Sequence, residues 1–214
     1  MPLIPIIPIG LEDGRLMTGT ISFKGTSALA DLTADFRETV KGIVEEYGKG
    51  TKIIIVDVNG LRQGAMDLRT IKKIKIRKAE IWLMTFVEDV GDVFDAFYMD
   101  IDRLLIPYHS VASDTELKEI VRISDNCVLS IFVEKGYAVS RTGREDVRSA
   151  IRTGKEAGFR SIAVLDVSGS CGLDDWKRIV TEFDGIIPFS ARMTPDVMTA
   201  LKDVGFADIM TTMS

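Results

Sequence analysis

Two blocks of this chain return, in the same order, in its second half. The run Ile55-Val56-Asp57-Val58-Asn59-Gly60 reappears as Val164-Leu165-Asp166-Val167-Ser168-Gly169. Each copy is followed by a glycine and, three residues on, by an aspartate that opens a helical stretch: Gly64 and Asp67, then Gly172 and Asp175. Upstream, Ile9-Gly10-Leu11-Glu12-Asp13-Gly14 is echoed by Ile131-Phe132-Val133-Glu134-Lys135-Gly136. Chance explains two matched blocks in one order poorly, so the reading is a duplicated half-domain, with halves of about 1–110 and 111–214.

Short apolar runs alternate with amphipathic stretches, the pattern of parallel βα units. Strands are predicted near 3–9, 52–58, 80–85, 102–106, 127–132, 161–165, 185–188 and 207–210. They are rich in Ile, Val and Leu, as strands buried on both faces must be. Helices are predicted near 31–47, 67–77, 89–97, 113–124, 143–157, 172–183 and 193–204. Ser113 with Glu116 offers an N-cap, and Thr194-Pro195 a helix start. Eight such strands predict a single (β/α)8 TIM barrel over residues 1–214 with a two-fold half-barrel repeat, an open doubly wound sheet being the alternative. The last strand runs straight into Ser214, so the last helix is expected to be missing. Apolar wall left bare there predicts a homo-oligomer, a dimer being favoured, with truncation as the plainer explanation.

A net charge of −5 and a pI near 5.1 argue against nucleic acid as a partner and favour a small anionic metabolite or a protein. The two cysteines, Cys127 and Cys171, lie far apart in or beside apolar runs. That suits a reduced, cytoplasmic protein and offers no zinc spacing; neither metal nor cofactor is expected. No run reaches membrane-spanning length, so no membrane partner is expected either.

The repeated blocks resemble the barrels of histidine biosynthesis, the phosphoribosylformimino-imidazolecarboxamide ribotide isomerase and its cyclase partner. Ile7-Pro8-Ile9-Gly10-Leu11-Glu12-Asp13-Gly14-Arg15 is similar to that family's first strand, Val56-Asp57-Val58-Asn59-Gly60 to its second, and Leu165-Asp166-Val167-Ser168-Gly169 to its sixth. The resemblance implies an Amadori isomerase with one aspartate ending the first strand and another ending the fifth, as general base and acid. Here those places hold Gly10 and Phe132, neither of which carries a proton, so the ordinary isomerase reaction is not expected. The family's close-approach glycines for two phosphates are absent as well. Hydroxyls of Thr85, Ser110, Ser168, Ser190, Thr211 and Thr212, with Arg192, stand near the strand ends as replacement anion ligands; their plainer reading is as helix caps and a surface arginine.

Five residues are candidates for catalysis. Glu12 and Glu134 are repeat equivalents beyond Gly10 and Phe132; they read as a displaced acid–base pair or, more commonly, as solvated carboxylates at glycine-containing turns. Asp57 and Asp166 end strands, where a carboxylate either caps the next loop's amides or meets a ligand. His109, the one histidine, has an ordinary pKa suited to proton transfer, though a lone loop histidine is more often incidental. Cys171 precedes a helix, which favours a thiolate, but has no partner in sequence. The basic run Lys72–Lys78 reads as a solvated helix end. The expectation is a divergent, formerly enzymatic relative of the isomerase that binds an anionic metabolite at the strand C-terminal mouth. The alternatives are a non-catalytic subunit or regulatory module, and an enzyme of one-carbon cofactor metabolism.

Overall fold

The computed structural model describes residues 3–76 and 78–213. Seven parallel strands run side by side in chain order: β1 (Leu3–Glu12), β4 (Lys52–Asp57), β5 (Glu80–Met84), β6 (Arg103–Pro107), β7 (Cys127–Glu134), β10 (Ser161–Asp166) and β11 (Ile186–Ser190). An eighth, β12 (Ile209–Thr212), pairs in parallel with the free side of β1. Nearly every residue of these strands is buried, which is why they read from sequence as unbroken apolar runs.

Two antiparallel hairpins extend the sheet. β1 turns through Asp13-Gly14 into β2 (Arg15–Lys24), which pairs with β3 (Ser27–Asp35); β7 turns through Lys135-Gly136 into β8 (Tyr137–Ser140), which pairs with β9 (Gly143–Asp146). Both two-residue turns hold positive φ at both positions (48° and 75°, 53° and 82°), the type I′ geometry that matches strand twist.

This architecture overturns the expected (β/α)8 barrel with its two-fold half-barrel repeat. The sheet has twelve strands, its path is β11-β10-β7-β6-β5-β4-β1-β2-β3, and no ladder joins β11 to β12 among the described residues. Those two strands come within 8 Å of each other, so the sheet curls until its edges approach but stays open. The surplus strands lie in 15–35, where polar and apolar residues alternate, and in 137–146, whose second strand, Gly143–Asp146, has no apolar side chain. Residues 31–35 and 143–146, expected in helices, are the end of β3 and the whole of β9.

Eight helices follow among the described residues: α1 (Phe36–Tyr47), α2 (Val58–Gln63), α3 (Leu68–Ile71), α4 (Val90–Phe97), α5 (Asp114–Ile123), α6 (Val147–Ala157), α7 (Leu173–Glu182) and α8 (Pro195–Val204). Of these, α2 packs Val58 and Leu61 on the inner face beneath the first hairpin. The predicted helix 67–77 shrinks to the single turn of α3, and Arg77 of the basic run lies outside the described residues. Asp35 caps α1 by accepting from Arg37 N (2.9 Å) and Glu38 N (3.1 Å), and Asp146 caps α6 through Ser149 N (3.0 Å). Ser113 caps α5 as predicted, but Glu116 reaches across to Val90 N (2.9 Å) and so ties α5 to α4. No helix among the described residues is long and apolar enough to cross a membrane.

The core has two parts. One lies between sheet and helices and includes Trp176. The other fills the curl, with Ile6, Ile54, Val56, Trp82, Met84, Phe132, Leu165 and Phe189 among its members. Its floor is Trp82, flanked by Arg103 (4.9 Å from the ring centre) and Lys52 (5.5 Å). Its roof is the β2–β3 hairpin, which contributes Ile21, Phe23 and Ala28.

Candidate functional site

The C-terminal ends of the parallel strands carry most of the residues singled out from sequence, and the hairpin decides what they can do. Phe23 packs edge-on against both Phe132 and Phe189, with ring centres 5.8 Å apart in each pair. Leu32, on β3, lies directly over Gly10: a β-carbon at residue 10 would overlap its Cδ1. A shift of register between Thr18 and Gly19 bends the hairpin, and a β-carbon at Gly19 would overlap the Asp31 carbonyl oxygen, so only glycine fits that bend. The mouth is thus roofed by apolar side chains at both places where the resemblance sets proton-transfer aspartates.

Asp57 and Asp166 are both fully buried and both organise loops. Asp57 accepts from Gly60 N (2.9 Å), Asp67 N (2.9 Å) and Thr85 Oγ1 (2.8 Å). Asp166 accepts from Ser170 N (2.9 Å) and Cys171 N (2.9 Å), with Ser190 Oγ at 3.4 Å. Burial raises the Asp57 pKa from its ordinary value, outweighing the three donors. The pattern is the one a carboxylate adopts when it substitutes for backbone partners in an irregular loop.

Most of the hydroxyls proposed as anion ligands face inward to the protein. Thr85 and Ser190 serve the two aspartates. Ser110 bonds to the Val87 and Pro107 carbonyls (2.6 and 2.8 Å). Ser168 accepts from Lys135 N (2.8 Å), which pins its loop to the β7–β8 turn. Thr211 Oγ1 contacts the Thr212 carbonyl (3.3 Å), both residues half-buried at the end of β12. Arg192 is exposed and its stem lies across Gly169, where a β-carbon would stand 2.7 Å from its Cδ.

The five candidate catalytic residues do not converge. Glu12 is exposed opposite Arg15, and Glu134 is ion-paired with Arg144. His109 stands edge-on to Phe132, ring centres 5.4 Å apart, and no hydrogen bond or ion pair joins any two of the five. Burial holds the Cys171 thiol up at about 12, reinforced by Asp166 and Asp175, so the helix start after it does not yield a thiolate.

Burial also lowers the His109 pKa to about 4, and its Nδ1 has no partner among the described residues. The unfolded chain takes up this proton below about pH 6.5 and the folded chain only near pH 4. The neutral ring therefore contributes stability above pH 6.5 that is lost as pH falls through that window, at most about 3 kcal/mol. Denaturant midpoints at pH 7.5 and 4.5 should drop less for His109→Gln than for the wild type. Equal drops would assign the acid sensitivity elsewhere.

No known protein family matches this chain, and no curated protein does. The roles above rest on geometry.

What the sequence did not reveal was the roof. Phe23 and Leu32 lie outside every repeated block, yet the alternation through Leu16–Lys24 and Ser27–Asp35 around Gly25-Thr26 is a hairpin signal.

Proposed function

We propose that this chain works by binding rather than by proton-transfer catalysis. One observation carries the reading: the hairpin seats Leu32 over Gly10 and Phe23 against Phe132, so apolar packing fills the positions an Amadori isomerase needs for its acid and base. The aspartates that survive nearby are already committed to loop amides, and moving either would unpair those donors. Incubation with the ribotide substrate should give no product above a protein-free control. Turnover near that of an ordinary isomerase would end this reading.

A second reading has its own support. His109 Nδ1, Ser130 Oγ and Thr18 Oγ1 are buried without hydrogen-bond partners among the described residues, and Ser130 shares the inner face of β7 with Phe132. Buried polar atoms of this kind are costly unless something meets them, and a small polar metabolite admitted beneath a lifted hairpin would do so. A thermal-shift screen with phosphosugars tests it, since a ligand bound only by the folded state raises the melting temperature. A His109→Phe variant that shifts as much as the wild type would exclude the mouth as the site.

A further inference from the structure

Outside the mouth, three segments remote in sequence meet beside the first hairpin. The start of β2 supplies Arg15, the start of α1 supplies Arg37, and the turn after α3 supplies Lys72, Lys73 and Lys75; together they line a cleft of about 460 Å³. None of the five forms an ion pair among the described residues. The nearby acids do not balance them. Asp35 is the one carboxylate among the lining residues, and Glu12 faces Arg15 singly across the ladder. Lys73 Nζ is held by the Gly14 carbonyl (2.7 Å), which fixes one charge in place.

The second hairpin offers an internal comparison. The cleft beside the Lys135-Gly136 turn, about 200 Å³, is built from matching parts: Gly136, the capping Asp146, and Arg148 at the start of α6. There Arg148 and Arg178 share the lining with Asp146 and Asp175, and Arg148 pairs with Glu182 (3.6 Å). Matching local architecture thus carries two cations against two carboxylates in one place and five cations against one lining carboxylate in the other. In a chain of net charge −5, such a local excess is not a by-product of composition.

We infer that the cleft beside the β1–β2 turn binds a small oligophosphate. Its volume is that of a small-molecule site, and it is concave rather than an extended stripe, while the acidic remainder of the surface repels a long polyanion. A lone phosphate is neutralised by two cations; five suit two or three linked phosphates. Arginine forks and lysine ammonium groups together match phosphate oxygens from several directions. This site belongs with the binding function proposed above and gives it a ligand class.

Titration calorimetry of the full chain with inorganic tripolyphosphate tests it. The wild type should bind saturably with one-to-one stoichiometry. Arg37→Gln with Lys75→Gln should weaken binding about tenfold at an unchanged melting temperature. Arg148→Gln with Arg178→Gln, in the second cleft, should bind as the wild type does. If the first pair lowers the melting temperature, Arg15→Gln with Lys72→Gln replaces it, with the same loss expected. Absence of saturable binding, equal weakening by both clefts' variants, or tighter binding of a short single-stranded RNA would each overturn the assignment. Turnover of the ribotide would sink the non-catalytic reading while leaving this titration as it stands.

Discussion

Phe132→Asp is expected to lower the unfolding free energy by at least about 5 kcal/mol, enough to consume most of the stability of an ordinary domain. The Phe132 ring is fully buried and touches Phe23 and His109, so its loss alone costs roughly 3–5 kcal/mol. The new carboxylate then has to be ionised in an apolar roof or held protonated, and either state adds to the cost. Phe132→Leu, which keeps much of the volume, should cost only about 1–2 kcal/mol and fold normally. Urea midpoints read both. The pair separates two accounts of the site. In an isomerase that had merely lost its acid, aspartate at 132 would be tolerated and would begin to restore turnover. In a mouth closed by packing it cannot be tolerated, because Phe23 comes down on the same spot. A Phe132→Asp protein with a near-wild-type midpoint would refute the closed mouth.

The parallel strands were legible because burial on both faces leaves one kind of sequence, as in Lys52–Asp57 and Ser161–Asp166, and the predicted strands fall within about three residues of those observed. Whether such strands close into a ring was not legible. Closure hangs on a ladder between β11 and β12, and strands of an open curl bury the same faces as strands of a closed one. The hairpins were missed for a different reason. Leu16–Lys24 mixes threonine, serine and glycine with its apolar residues, and its inward face becomes apolar only once Phe132 and Phe189 lie beneath Phe23. The aspartates were found in the right place, since strand-end carboxylates stand out in apolar runs. Their task was not readable, because it is set by which amides the following loop turns inward. The cation cleft was still further from view: Arg15, Arg37 and Lys72–Lys75 are neighbours only through the fold.

Asp57→Ala is expected to cost about 4 kcal/mol, the second largest effect. Three donors converge on this carboxylate, two of them backbone amides with no other acceptor at hand, and each unpaired buried donor costs roughly 1–3 kcal/mol. Space offers no escape, since a β-carbon on Gly60 would already overlap Asp57 Oδ2 and Asp57 itself is fully buried. Asp57→Asn retains one acceptor oxygen and should cost less. The charge adds a pH signature. Because burial raises the folded pKa above the unfolded value, protonation favours the folded state. This contribution is complete below the unfolded pKa of about 3.8 and disappears as pH rises through the folded one. The gap in stability between wild type and Asp57→Asn should therefore move in the wild type's favour as pH falls through that window, against the trend that His109 imposes on both proteins alike. Differences taken at each pH isolate it. A gap that stays constant from pH 7 to pH 4 would mean that the amides, not burial, set the ionisation of Asp57 and that its role is wholly that of a charged loop anchor.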